Sequence, residues 1–296
     1  MSSRRSLALS LERFRLGRAW DGRTYRRALA LETGMTELAA VQTGSAAFPE
    51  LTVTLTGAQL DEQTEEAARA ALARLLGLQL DLSPFYRLAA ADPFLHMLAA
   101  RFRGLKPPRF PTLFECLVNA IACQQLTLTV GIRLLNRLTE AHGTAPDGGK
   151  SRAFPVPTQL ADLSLEALRP LGFSRAKSRS VVELAAGIST GMFDAAAIET
   201  LDDDAALSAL LRLRGVGRWT AEYALLRGLG RLHVFPGDDV GARNNLARWL
   251  NSREPLDYAG VQAAVRGWQP FAGLVYFHLL LADLAEHGTL SEISSV

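Results

Sequence analysis

"LRGVGRWTAEYALL", Leu213 to Leu226, sets Gly215 and Gly217 one residue apart, directly ahead of a helical run. Glycines at a tight turn let the backbone take positive φ and come within hydrogen-bonding distance of something bulky, because no Cβ stands in the way. The first N–H groups of the helix starting at Arg218 have no partner within it, and together with the helix dipole they suit an anion such as a phosphate. Just behind the turn, Trp219 and Tyr223 are four residues apart, so their rings share one helix face. Core packing is the commoner fate of such a pair.

Around this stretch, 296 residues with 48 % hydrophobic and 21 % charged content describe an ordinary globular chain with room for two domains. No apolar run is long enough to span a membrane, and Met1–Arg18 lacks the apolar centre of a secretory signal, so a cytoplasmic location is expected. Cys116 and Cys123 lie seven apart in a helical pattern, which suits apolar fillers rather than a disulfide. Neither they nor the five histidines show zinc or iron–sulfur spacing. The net charge of +2 says little, but from Leu211 to Leu250 seven arginines (212, 214, 218, 227, 231, 243 and 248) face only Glu222, Asp238 and Asp239. That excess marks a candidate phosphate-facing surface, against the plainer reading of a solvated face, and "RFRGLKPPR" at Arg101–Arg109 is a second candidate.

Two compositional regimes succeed one another along the chain. "LTVTLTG", Leu51–Gly57, alternates Leu51, Val53 and Leu55 with threonines, the period of a half-buried strand. Weaker alternation at Leu7–Phe14, Tyr25–Leu31 and Glu37–Thr43, with "DGR" and "TGM" as turns, completes a small antiparallel sheet. Asp61–Leu76 is helical, with acids in its first turn and Gly77 as its stop. Leu78–Pro93 reads as the passage to the next domain. Beyond Pro93 about eight to ten helices are expected. In one of them Leu113, Leu117, Ala120, Ile121 and Leu128 form a stripe behind Pro111 and Thr112. The acidic run Asp202–Asp204 is better explained as a helix start than as a metal site. Residues Gly143–Pro157 read as a polar loop, the least ordered part of this half.

Several motifs occur together and in order: "FRGLKPPRFPTLFECLVNAIACQQLTLTVG", "LGFSRAKSRSVVELA", the Leu213-x-Gly215-Val216-Gly217-x-x-Thr220-Ala221 string, and "FPGDDVGAR". In this the chain resembles the helix-hairpin-helix DNA glycosylases, specifically the 3-methyladenine DNA glycosylase II branch. The resemblance implies a mainly α fold: a small N-terminal α+β domain (1–90, antiparallel sheet plus helix) followed by an all-α helix-hairpin-helix glycosylase domain (91–296). The latter divides into a central subdomain with the hairpin (113–230) and a second one (91–112 plus 231–296), the active-site cleft lying between them.

Enzymes of this kind rotate a damaged nucleotide out of duplex DNA and cut its N-glycosidic bond. The family's aspartate falls on Asp239, where a carboxylate supports positive charge developing on the deoxyribose; Asp238 is its competitor. The bland account makes both residues caps of the helix "VGARNNLARWL", and a single carboxylate can do both. The resemblance places Trp219 and Tyr223 in the base pocket, where electron-rich rings attract a purine made cationic by alkylation. Relatives that also nick the strand carry a lysine at the position of Trp219, to form a Schiff base; an indole there implies a monofunctional enzyme that leaves an abasic site. Leu126, with Gln125 beside it, is the candidate to fill the gap left by the flipped base. A third pocket aromatic of some relatives corresponds to Leu280 here, with Tyr276 and Phe277 as substitutes. Gly215, Val216, Gly217, Arg218, Thr220 and Arg243 complete the expected DNA contacts. No cofactor is implied beyond a structural monovalent cation on the backbone carbonyls of Leu213 and Val216, and the partner is damaged double-stranded DNA. Two other readings stay open on these residues: a non-catalytic helix-hairpin-helix DNA-binding protein, and a glycosylase for oxidised, mismatched or uracil bases.

Overall fold

The structure, a computed structural model, describes residues 18–20, 23–43 and 50–286; the expected strand at Leu7–Phe14 lies outside them. Four strands, β1 (Arg18–Trp20), β2 (Thr24–Leu31), β3 (Gly34–Gln42) and β4 (Leu51–Gly57), form an antiparallel meander in the order β1-β2-β3-β4. Register is set by the tight β2–β3 turn, which pairs Leu31 with Gly34 and Leu29 with Thr36. Helix α1 (Glu62–Leu76) lies on one face of the sheet, where Leu72, Leu75 and Leu76 pack with Tyr25, Leu29, Leu38 and Ala40. Its ends are set by local chemistry: Asp61 caps the N–H of Thr64, and Gly77 stops the helix at φ +59°. Among the described residues β4 is an edge strand, and its alternation is only weakly used: Leu51 and Leu55 touch the core, while Val53 is exposed.

The passage Leu78–Pro93 contains a helix, α2 (Ser83–Ala91), directly followed by α3 (Pro93–Arg101). Asp92 separates them, its carboxylate capping the N–H groups of Phe94 and Leu95. The expected stripe from Leu113 to Leu128 is split between α4 (Leu113–Cys123) and α5 (Leu128–His142), with an irregular turn at Gln124–Thr127. From Pro93 onward there are eleven α-helical segments among the described residues, more than expected because some are single turns. After α5 come α6 (Pro157–Leu160), α7 (Arg175–Ser189), α8 (Ala195–Thr200), α9 (Asp203–Leu211), α10 (Arg218–Tyr223), α11 (Val240–Trp249), α12 (Tyr258–Val265) and α13 (Ala272–Glu286). Asp202 caps α9 through the N–H of Ala205, as the helix-start reading of the acidic run expects.

Two helical cores result. One gathers α4, α5, α7 and α9 with Val216, Ala221, Ala224 and Leu225 of the Leu213–Leu226 stretch; the other joins α2 and α3 to α11, α12 and α13. Leu225 belongs to the first and Leu226 to the second, so the helical run behind the glycine turn sits at their junction. That run relaxes into a π-helical turn at Ala224–Gly228. The sheet unit docks on the first core through a buried ion pair between Arg27 on β2 and Glu115 on α4. Arg74 of α1 adds bonds to the carbonyls of Phe110 (3.2 Å) and Gly228 (2.8 Å). The loop Gly143–Pro157 is anchored, contrary to expectation: Glu37 of β3 accepts the N–H groups of Lys150 (3.0 Å) and Ser151 (2.8 Å), and Phe154 enters the first core. Both cysteines are free, and burial pushes the Cys116 thiol up to about 12 and that of Cys123 up to about 11, as fits packing groups. No described helix is long and apolar enough to cross a membrane.

Candidate active site

Leu213–Gly217 turns α9 into α10. Gly215 takes φ +76°, and a Cβ there would stand 2.3 Å from Ser180 Oγ on α7, so this glycine is required by conformation and by space. Gly217 differs from the expectation of positive φ. Its backbone is extended (φ −96°), it is the N-cap of α10, and nothing lies within 4 Å of where its Cβ would be. It leaves bare backbone open to the outside at a helix start. Val216 is buried, and its N–H closes the turn onto the Leu213 carbonyl at 3.1 Å.

Asp239 is the N-cap of α11 and also the point where three helices converge. Its Oδ1 accepts the N–H of Ala242 at 2.9 Å. Its Oδ2 accepts Trp219 Nε1–H from α10 and the Tyr276 hydroxyl from α13, each at 3.1 Å. All three partners donate, so the carboxylate acts purely as an acceptor. Burial, then the nearby Asp239 charge, holds the Tyr276 phenol well above its usual range, which keeps it a donor. Asp238 is engaged elsewhere: Arg218 Nε meets its Oδ2 at 2.6 Å, and the Arg218 guanidinium lies 3.8 Å over the Tyr258 ring.

Trp219 and Tyr223 are half-buried with ring centroids 5.5 Å apart and planes inclined by 31°. The Tyr223 hydroxyl donates to Asn119 Oδ1 on α4 at 3.3 Å. The polar contact from α13 comes from Tyr276 rather than from Leu280, which is half-buried one turn further on. Phe277 faces Arg227, whose guanidinium is also within 5.1 Å of Phe110 and 5.6 Å of Tyr223.

The Gln124–Thr127 turn lies beside the glycine turn. Gln124 Nε2 donates to the Gly215 carbonyl (2.7 Å) and to Thr220 Oγ1 (2.9 Å), while Lys177 Nζ of α7 donates to the carbonyls of Ala122 and Gln124. Gln125 is exposed at φ +54°, a conformation uncommon for a side chain of its size, and Leu126 is 41 % exposed. Thr220 differs from the expected DNA contact: it is 1 % exposed and its hydroxyl accepts from Gln124, so it holds the Gln124–Thr127 turn against α10. Arg243 is half-exposed in the first turn of α11.

The arginine run is largely neutralised in place. Arg214 pairs with Glu183, Arg218 with Asp238, Arg231 with Asp203 and Arg248 with Asp283, while Arg227 lies among aromatic rings. Among the described residues Arg212 and Arg243 make no ion pair, so little of the expected positive surface is free charge. The second basic stretch is likewise structural in part, with Lys106 donating to the Leu78 carbonyl and Arg109 to that of Gly228. Sequence reasoning missed Glu222, a 5 % exposed carboxyl on α10, as well as Gln124 and Lys177.

Known proteins are similar to this chain in sequence and fold. Residues 118–270, which contain the turn, the Trp219–Tyr223 pair and Asp239, match the model of the "HhH-GPD superfamily base excision DNA repair protein" family. DNA-3-methyladenine glycosylase of Bacillus subtilis (strain 168) is 31 % identical over 208 residues, 69 % of each chain. DNA-3-methyladenine glycosylase 2 of Escherichia coli (strain K12) is 28 % identical over 62 % of this chain and 63 % of its own. The solved 3-methyladenine DNA-glycosylase from Archaeoglobus fulgidus superposes with a TM-score of 0.84 at 26 % identity, covering 95 % of this chain and 94 % of that one. The chain belongs to the HhH-GPD superfamily of base excision DNA repair proteins.

Proposed function

We propose that this protein is a monofunctional DNA glycosylase of base excision repair, which flips alkylated purines of the 3-methyladenine and 7-methylguanine class out of duplex DNA and hydrolyses their N-glycosidic bond. The observation that carries this reading is the meeting of Asp239 with Trp219 and Tyr276 at the foot of the Trp219–Tyr223 ring pair. A pure DNA-binding module needs no carboxylate held by three donors at that place.

In this reading the two rings and the indole edge receive the cationic base. Alkylation at N3 or N7 has already made that base a good leaving group, so the bond electrons pass to it without a strong general acid. Positive charge grows on the deoxyribose, and Asp239 stabilises it from a position fixed before substrate arrives. Water then adds to the sugar and loses a proton, with Asp239 as its acceptor. Trp219 offers no amine for a Schiff base, which favours an intact strand bearing an abasic site.

DNA is held by the bare backbone at Gly217, with the α10 N–H groups turned to a phosphate, and by Arg243 in the first turn of α11. Gln125 and Leu126, exposed on a turn tied to the hairpin by Gln124, fill the vacated stack. The backbone carbonyls of Leu213, which also accepts the N–H of Val216, and of Val216 would hold a monovalent cation, which would supply positive charge at the turn.

Methylated duplex DNA incubated with the protein, followed by chromatography of the released bases, tests the proposal. Free 3-methyladenine and 7-methylguanine are expected, with strand breaks only after alkali treatment. No base release refutes the function, and breaks without alkali refute the monofunctional assignment.

A further inference from the structure

Helix α10 grips three consecutive residues of the loop that leads into α11. Arg218 holds Asp238 (2.6 Å), Trp219 donates to Asp239 (3.1 Å), and Glu222 Oε2 accepts the N–H of Gly237 at 3.1 Å. The other oxygen of Glu222 accepts the Tyr258 hydroxyl from α12 at 2.6 Å. Gly237 allows this packing by having no side chain, since a Cβ there would lie 2.7 Å from Tyr258 Cδ2. Glu222 is thus a buried carboxyl whose loop contact stands two residues before Asp239, and the cleavage of the glycosidic bond does not use it.

We propose that Glu222 is the positioning residue of this loop: its ionised carboxylate, accepting from Gly237 and Tyr258, sets where Asp239 meets the sugar, and activity falls when that carboxylate takes up a proton. The inference rests on the reading of Asp239 as the catalytic carboxylate. A protonated Glu222 carries an O–H that must point at one of its two donors. Tyr258 can rotate to accept it at Oε1, while Oε2 keeps the N–H of Gly237 only as a neutral and weaker acceptor, so the hold on the loop loosens. Burial pushes the Glu222 carboxyl above its usual range. The bonds from Tyr258 and Gly237 and the Arg218 charge oppose that rise, while Asp238 reinforces it. Tyr258, Gly237, Arg218 and Asp238 thus act on it directly, and the Gln262 amide of α12 lies beside Gly237. The proton is therefore taken up on the acid side, at higher pH than for a free glutamate.

The test measures kcat and KM across pH on a duplex carrying one alkylated purine, for wild type, Glu222→Gln and Tyr258→Phe. Wild type is expected to show an acid limb in kcat. Glu222→Gln, which mimics the protonated shape, is expected to lower kcat at neutral pH on the order of tenfold to a hundredfold. Its KM should stay within about twofold, and the acid limb should vanish from that pH window. Tyr258→Phe keeps the ring under Arg218 but removes a bond favouring the ionised form, so its limb should move to higher pH. This second variant keeps the test decisive should Glu222→Gln melt early. Wild-type kcat in Glu222→Gln, the same acid limb in Glu222→Gln as in wild type, or an unmoved limb in Tyr258→Phe overturns the positioning role alone. No base release by wild type at any pH overturns the glycosylase reading, and this role with it.

Discussion

Replacing Gly215 and Gly217 one at a time by alanine separates folding from DNA contact within a single turn. At Gly215 (φ +76°), a left-handed alanine costs about 1–2 kcal/mol. Its methyl would sit 2.3 Å from Ser180 Oγ, and Ser180 has little room to yield, being 4 % exposed and tied to the Ala176 carbonyl at 3.1 Å. Relief of that overlap costs a further ~1–3 kcal/mol. The total of roughly 2–5 kcal/mol corresponds to a melting temperature lowered by about 3–8 °C for a chain of this size. At Gly217 the backbone is extended and the space is empty, so Gly217→Ala should cost no more than about 1 kcal/mol, the disadvantage of alanine at an N-cap. That methyl would instead stand where a phosphate approaches, weakening affinity for a duplex with an abasic-site analogue by about tenfold, or ~1.4 kcal/mol. Thermal melts by circular dichroism and fluorescence anisotropy titrations at one fixed salt concentration read the two effects. The reasoning is refuted if Gly217→Ala melts as low as Gly215→Ala, or if it binds the duplex as tightly as wild type.

Buried and capping groups give three further expected outcomes. Arg27→Met strands Glu115 between the sheet unit and α4, and should cost about 3–5 kcal/mol in denaturant unfolding, whereas Arg27→Met/Glu115→Leu should recover most of it; a neutral single variant contradicts this. His278, buried against Phe85 with Nδ1 on the Leu274 carbonyl, has its pKa lowered by burial to about 4. The unfolded chain takes up that proton first, so stability should fall by roughly 3 kcal/mol as pH drops from about 6.5 toward 4. His278→Gln should flatten melts in that window, and an unchanged pH slope would count against it. Asn caps helices about as well as Asp, but its amide N–H groups cannot accept from the Trp219 indole, so Asp239→Asn should lose about 1 kcal/mol and Asp239→Ala, which lacks the cap as well, about 1 kcal/mol more; equal melts for the two variants would mean the cap contributes nothing.

Much of the fold was legible because its signals are local. Asp61, Asp202 and Gly77 mark helix ends by chemistry that acts over three or four residues, and the paired glycines, ring pair and "GDD" segment stand in one continuous run. The break at Gln124–Thr127 was not legible. No Gly or Pro marks it, and it is held by Gln124 reaching Gly215 and by Lys177 reaching back to Ala122, contacts that span tens of residues. The same holds for Tyr276, which joins Asp239 across 37 positions. Gly215 and Gly217 look equivalent in sequence, yet only the packing of Ser180 against one of them tells their duties apart. The arginine run misled for a related reason: Glu183, Asp203 and Asp283, which neutralise three of its members, lie outside the window in which charge was counted. Glu222 did leave a signal, as an acid on the helix face next to Trp219 with alanine beside it, but its partners Gly237 and Tyr258 come from two later segments.

The most direct test is single-turnover release of 3-methyladenine from a defined duplex by wild type and by Asp239→Asn, with binding to an abasic-site analogue measured on the same preparations. The account predicts a rate lowered by about a thousandfold with affinity retained and the circular-dichroism spectrum of the folded protein unchanged. Release by Asp239→Asn at close to the wild-type rate would contradict it.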